Sequence, residues 1–221
     1  MSLRGHYTAE LEQLRLQVEV MAVRVEQNLD RMRNALDDGA TWPHLEAVRV
    51  DGEVDAMNVS LTERCYELIA REAPVASDLR LIVSVVRVLN ELERISDHAV
   101  RICRDAGGPP LAAPGTRLHD LLVTIGDEVL ARFHVALRAW GSNDLDLAED
   151  LANGSPMADA LHARLIGELL DIDGPDAVGS ALRIAAVGRS LERISDHTAV
   201  VGARIRYLIT GDPAHLAAEM R

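Results

Sequence analysis

The sequence contains no lysine: its 23 basic side chains are all arginine, set against 35 acidic ones for a formal net charge of −12. No run of those arginines is interleaved with aromatics, which removes the electrostatic footprint of a nucleic-acid binder. The same acidity opposes direct attachment to anionic lipid, so membrane association is expected only peripherally, through a protein partner. Aromatics are scarce as well, 3% of a chain that is 48% hydrophobic. The apolar material is Leu, Val, Ile and Ala, which suits helix seams better than sandwich or barrel cores. No apolar run approaches the roughly 20 residues that span a bilayer. The opening MSLRGHYTAELEQ has no apolar signal core, so no export signal and a cytoplasmic location are expected. Two cysteines, Cys65 and Cys103, lack CxxC spacing and are predicted to be buried, reduced thiols. With 221 residues there is room for one large domain or two small ones.

What is present is helical periodicity. Leu11, Leu14, Val18, Met21, Val25 and Met32 step by three and four, with Asn28 where a heptad would place an apolar residue. A first helix from about Thr8 to Leu36 follows, ended by Asp37-Asp38-Gly39. Thr41 is the predicted cap of a second helix, with Pro43 in its first turn and a seam of Val50, Val54, Met57, Leu61 and Leu68. Glu72-Ala73-Pro74 breaks the chain, and Ser77 is the predicted cap of a third helix. That helix has the cleanest stripe: Leu81, Val85, Val88, Leu92, Ile95, Ala99 and Ile102. The Gly- and Pro-rich stretch from Asp105 to Gly115 cannot continue a helix and reads as a linker. Beyond it, Leu118, Leu122, Ile125, Val129, Phe133 and Trp140 mark a fourth helix. Asn143 with Asp146 resembles a cap for a fifth. Gly174-Pro175 interrupts again, and a sixth helix runs to about Ile209, stopped by Gly211-Asp212-Pro213.

The halves are copies. Leu92-Glu93-Arg94-Ile95-Ser96-Asp97-His98 recurs identically as Leu191 to His197, 99 residues on and again in the third helix of its half. The seam carries over at the same offset, Val85 to Ile184 and Val88 to Val187 among others. The expectation is an all-α protein of two tandem three-helix bundles, residues 1–106 and 117–221, joined by a linker at 107–116.

The repeat also carries the chemistry. Glu93 and Asp97 stand four apart, as do Glu192 and Asp196, so each pair shares a helix face and repels by a few tenths of a kcal/mol, roughly. Asp51 and Asp55 form a further pair on the second helix. The midpoints of 55 and 93 and of 51 and 97 both fall on Pro74, at the turn, so the four carboxylates are predicted to face one another across an antiparallel hairpin. The midpoint of Asp159 and Glu192 falls between 175 and 176, beside Gly174-Pro175, though Ser155 stands where a fourth acid would be. Two readings follow. One is an oxygen-ligand site for Mg, Mn, Fe or Zn at Asp51, Asp55, Glu93, Asp97, Asp159, Glu192 and Asp196. The other is a solvated acidic surface neutralised by arginine, with Arg101 placed to pair with Asp97 while Val200 takes its place in the second half. His98 and His197 are either ligands or phosphoryl acceptors, or ordinary helix histidines. No phosphate loop, HExxH or nucleophile elbow is present.

These residues resemble the PhoU family. The ERIxDH-type segments at Glu93–His98 and Glu192–His197, the entry Pro74-Val-Ala-Ser-Asp-Leu-Arg80 and the exit Tyr207-Leu-Ile-Thr-Gly-Asp212 carry the likeness. The resemblance implies two PhoU domains, frequently in a homodimer, and no catalytic residues. It implies negative regulation of phosphate uptake and of the phosphate-starvation response, as an adaptor between the phosphate ABC transporter ATPase and its sensor histidine kinase. It also implies metal binding by acids of the repeat. Where the family commonly has Asn four residues after the repeated Asp and an acid three further on, this chain has Arg101 and Arg104, then Val200 and Ala203. The competing reading from the residues is a carboxylate-bridged metalloenzyme on a helical bundle, against which stands the lack of Glu-x-x-His. A purely structural bundle is the third.

Overall fold

A computed structural model describes residues 3–38, 43–107 and 109–220. Helix α1 spans Leu3–Asp38, α2 Pro43–Glu72 and α3 Ala76–Ala106; then come α4 Arg117–Ser142, α5 Leu145–Ala152, α6 Pro156–Leu169 and α7 Ala177–Thr210, with a 3₁₀ segment at Pro213–Met220. Among the described residues there is no strand, and no helix is long and apolar enough to cross a membrane. α1, α2 and α3 pack on one another as the first bundle. α4 and α7 pack with α5 and α6 as the second.

The seams read from the sequence are where the core lies. Leu11, Leu14, Val18, Met21, Val25 and Met32 are all buried, as are Val50, Val54, Leu61 and Leu68 of α2. α3 is buried on more than its one stripe: Ile82, Leu89 and Cys103 join Val85, Val88, Leu92, Ile95, Ala99 and Ile102. The reason is its position, since α3 packs on α1 and α2 within its own bundle and on α7 of the other. α1 packs similarly on α4, so one continuous core runs through both halves. Asn28, at 0% exposure, donates from Nδ2 to the Ser96 hydroxyl (2.9 Å) and to the Ala47 carbonyl (3.2 Å). A polar group so satisfied in a seam fixes the mutual register of three helices. Cys65 and Cys103 are buried and free, and burial pushes their thiols up to about 11 and about 12.

Several helix ends differ from expectation. α1 begins at Leu3, five residues before Thr8. The predicted caps Gly39 and Thr41 lie outside the described residues. Ser77 does not cap α3, because extended Val75 is the boundary residue and Ser77 already sits in the first turn. Asn143 instead closes α4 in a left-handed conformation, while the Asp144 carboxylate accepts from the Leu147 amide (3.0 Å) and caps α5. The fifth predicted helix is divided in two at Asn153-Gly154, where Gly154 takes φ +78° and Ser155 caps the new helix α6. The short α5 can lie close to α7 only because position 202 is glycine: a Cβ there would sit 2.4 Å from Leu151 Cβ and 2.9 Å from the Ala152 amide nitrogen.

Candidate functional site

In the first bundle, α2 supplies Asp51 and Asp55 and α3 supplies Glu93 and Asp97. The buried Ser96 hydroxyl, itself held by Asn28, donates to Asp51 Oδ1 at 2.6 Å, so a chain of hydrogen bonds from α1 through α3 orients one carboxylate. The other three act on it electrostatically or on each other. Burial first, and then the charges of Asp97 and Asp55, push the Asp51 carboxyl upward against the lowering effect of the Ser96 bond. Asp55 is raised by burial and by Asp97. Glu93 is raised by burial, then by Asp97, Asp55 and Asp51, with only Arg94 opposing. The four acids therefore share one neighbourhood, as the turn-midpoint arithmetic requires. The predicted neutralisation by Arg101 does not occur, since among the described residues Arg101 makes no ion pair with Asp97. Arg101 bears instead on the His98 ring.

The second bundle resolves its charge differently. Asp159 of α6 and Glu192 and Asp196 of α7 line a concavity of about 200 Å³ with His162 and Ser195. Here arginines one helical turn away do the neutralising: Arg189 pairs with Glu192, and Arg193 with Asp196 at 3.0 Å. His162 Nε2 stands 3.9 Å from Glu192. Ser155 departs from the acidic pattern but donates to Glu128 Oε1 at 2.7 Å, so α4 supplies a carboxylate that α6 lacks. Glu128 and His162 were not found from the sequence, because neither belongs to the repeated segment nor to a four-residue acid pair. Oxygen donors of this kind suit a hard cation. Their arrangement does not close on one: among the described residues no three His, Cys, Asp or Glu side chains are placed to hold a metal ion together.

The family model for the PhoU domain matches residues 18–106 and again 122–205, one copy per bundle. The chain belongs to the PhoU family. It is 32% identical over 213 residues to the phosphate-specific transport system accessory protein PhoU homologue of Pseudomonas aeruginosa, covering 95% of this chain and 88% of that protein. It is 30% identical over 214 residues to the PhoU of Escherichia coli, covering 95% and 87%. The crystal structure of PhoU from Pseudomonas aeruginosa superposes with a TM-score of 0.87 at 31% identity, over 93% of this chain and all of that one. A PhoU structure from Streptococcus pneumoniae, at 20% identity and a TM-score of 0.83 over 93% and 98%, shares the fold. PhoU is a family of regulatory accessory proteins and not of enzymes.

Within this PhoU fold the repeated histidines pack against each other. The His98 and His197 rings stack with centroids 5.8 Å apart and planes inclined by 24°. His197 Nδ1 lies 2.7 Å from Oε2 of buried Glu91. Burial, then the neighbouring His197 and Arg101 charges, push His98 down to about 4, with Asp97 opposing and Arg193 adding to the fall. His98 Nδ1 is buried without a hydrogen-bond partner, which suits an uncharged ring packed at the meeting of the two bundles.

Proposed function

We propose that the chain is a negative regulator of phosphate uptake and of the phosphate-starvation two-component response. It works in the cytoplasm, as a homodimer, as an adaptor between the ATPase of the phosphate ABC transporter and its sensor histidine kinase. Near full-length likeness to proteins named as phosphate-specific transport system accessory proteins carries this reading. An adaptor shifts a partner's equilibrium only through unequal affinity for the partner's two states, so no chemical step is required of it. Exposed apolar side chains near both hairpin turns support such docking. Leu79 and Val178 correspond at the 99-residue offset, as do Val83 and Leu182, and all four are exposed. The proposal includes a cation of the Fe, Zn, Mg or Mn class at the carboxylates of the first bundle. Burial and then neighbouring carboxylates raise the pKa of Asp51, Asp55 and Glu93, but the acids would have to draw inward to bind a cation.

Deleting the gene is expected to derepress starvation genes and raise phosphate uptake at high external phosphate. Unchanged expression and uptake would sink the regulatory reading. Metal content of protein purified without a His tag is expected to fall in an Asp51→Asn, Asp97→Asn double variant, and equal content in the two proteins would remove the metal from the proposal.

A further inference from the structure

The two bundles differ at the ends of their hairpins. Arg71, the penultimate residue of α2, pairs with Glu10, so α1 runs on past that level to Leu3, about 10 Å further. Tyr7 of this extension packs on the core beside Glu72 and Asp78, at the α2–α3 turn. Glu168, the penultimate residue of α6, instead meets the first residue of α4, Arg117, at 3.2 Å. No turn of α4 runs past the α6–α7 end.

That end carries a group of exposed apolar side chains. Val178 and Leu182 are 75% and 67% exposed, whereas their repeat counterparts Leu79 and Val83 are at 39% and 40%. Leu170, at 85%, and Ile166 join them from α6. Ile166 with Leu182, and Leu170 with Val178, are each centred on Gly174, so the pairs sit at two levels of one antiparallel hairpin. Leu165 and His162 of α6 meet Gly188 of α7, and Glu168 turns toward α4, which leaves Ile166 and Leu170 on the outer side of α6 next to α7. Ile184, Val187 and Leu191 turn the other side of α7 into the core, so Val178 and Leu182 border the same outer surface.

The rim of this surface is acidic. Between Leu165 and Leu182 there is no arginine, while Glu168, Asp171, Asp173 and Asp176 all fall there. Glu168 has Arg117, but among the described residues no arginine pairs with Asp171, Asp173 or Asp176. Arg183, next along α7, is turned to the carbonyls of Asp105 and Pro109. The corresponding turn of the first bundle is balanced, with Arg71 and Arg80 near Glu72 and Asp78. An apolar surface rimmed by negative charge suits the apolar face of a helix whose flanks are Lys and Arg. It disfavours a second copy of the chain set rim to rim, and an anionic lipid surface.

We propose that the α6–α7 end, with Ile166, Leu170, Val178 and Leu182 inside a rim of Asp171, Asp173 and Asp176, docks a basic amphipathic helix of a partner protein. This deepens the adaptor reading, on which it rests for its role in the cell. It assigns the contact to the second bundle and fixes the chemistry of the partner.

Fluorescence anisotropy of the full chain with a labelled synthetic helix, leucine on one face and lysine on its flanks, is expected to show saturable binding that weakens as salt is raised. The matched helix with glutamate for lysine is expected not to bind. A Leu170→Gln, Leu182→Gln double variant and an Asp171→Asn, Asp173→Asn double variant are each expected to weaken lysine-helix binding about tenfold or more. Leu45→Gln, at another exposed apolar position on α2, is expected to bind as the parent does. All the substituted side chains are exposed, and circular dichroism matching the parent confirms folded variants. Absence of binding, equal binding of the glutamate helix, binding unchanged in the double variants, or equal weakening by Leu45→Gln overturns the proposal. So does sedimentation in which the parent self-associates and the leucine variant does not, which assigns the surface to a second copy. In cells the leucine variant is expected to derepress starvation genes at high phosphate as deletion does. Repression equal to the parent's, where deletion derepresses, overturns the docking site alone. If deletion itself changes nothing, the adaptor reading fails while the peptide results still decide whether the surface binds.

Discussion

At the residue scale the identical segments of the two halves hold their charges in opposite ways. Glu192 and Asp196 are answered by Arg189 and Arg193, whereas Glu93 sits among Asp51, Asp55 and Asp97 with only Arg94 opposing. The histidine of the segment is the residue whose protonation the fold most strongly resists. An unfolded His98 takes up a proton near pH 6.5, while the folded one resists until about 4. The unfolded state therefore binds more protons in that interval, and stability is lost as pH falls from about 6.5 toward 4. Thermal unfolding of His98→Gln, compared with the parent chain at pH 7 and pH 5, is expected to show a smaller drop in midpoint for the variant. An equal or larger drop would mean that the ring is solvated.

At the scale of elements, the second bundle shows how one turn changes a helix pattern. The sequence reading places one helix between Asn143 and Gly174, but Gly154 takes a left-handed conformation after α5, and Ser155 caps a separate helix α6. The liberated α5 then packs on α7 at Gly202 so closely that backbone, not only side chain, meets the missing Cβ. Gly202→Ala is therefore expected to destabilise the protein by about 1–3 kcal/mol through overpacking, even though alanine favours helix over glycine by up to ~1 kcal/mol. Chemical denaturation measures it, and a neutral or stabilising result would show that α5 shifts freely. The Asn28–Ser96–Asp51 chain is the complementary device in the first bundle, where a polar contact rather than a close approach sets the register.

At the scale of the whole molecule, the two bundles are not beads on a linker. α3 packs on α7 and α1 on α4, and Val18, Val88, Leu92, Phe133, Trp140 and Val201 meet around a cavity of only about 20 Å³. Arg183 further ties α7 to the last turn of α3 and to the linker by donating to the carbonyls of Asp105 (3.1 Å) and Pro109 (3.0 Å). A core shared this far makes the halves one cooperative unit. Calorimetry of the intact chain is expected to give a single unfolding transition whose calorimetric and van't Hoff enthalpies agree. Two separable transitions would show that each bundle folds alone.

The sequence by itself determined the helical class, the seams and the duplication, because three-and-four spacing of apolar residues is a local property that any helix must satisfy. It also brought Asp51, Asp55, Glu93 and Asp97 together, since an antiparallel hairpin converts distance from a turn into level. Only the tertiary structure decided which arginine answers which acid. Arg101 makes no ion pair with Asp97 among the described residues, Glu128 accepts from Ser155 across two helices, and Arg94 and Arg193 line one cleft. Those relations depend on the rotation of helices about their axes and on contacts spanning up to about a hundred residues. Such geometry is set by the packing of a shared core, and one-dimensional spacing does not carry it.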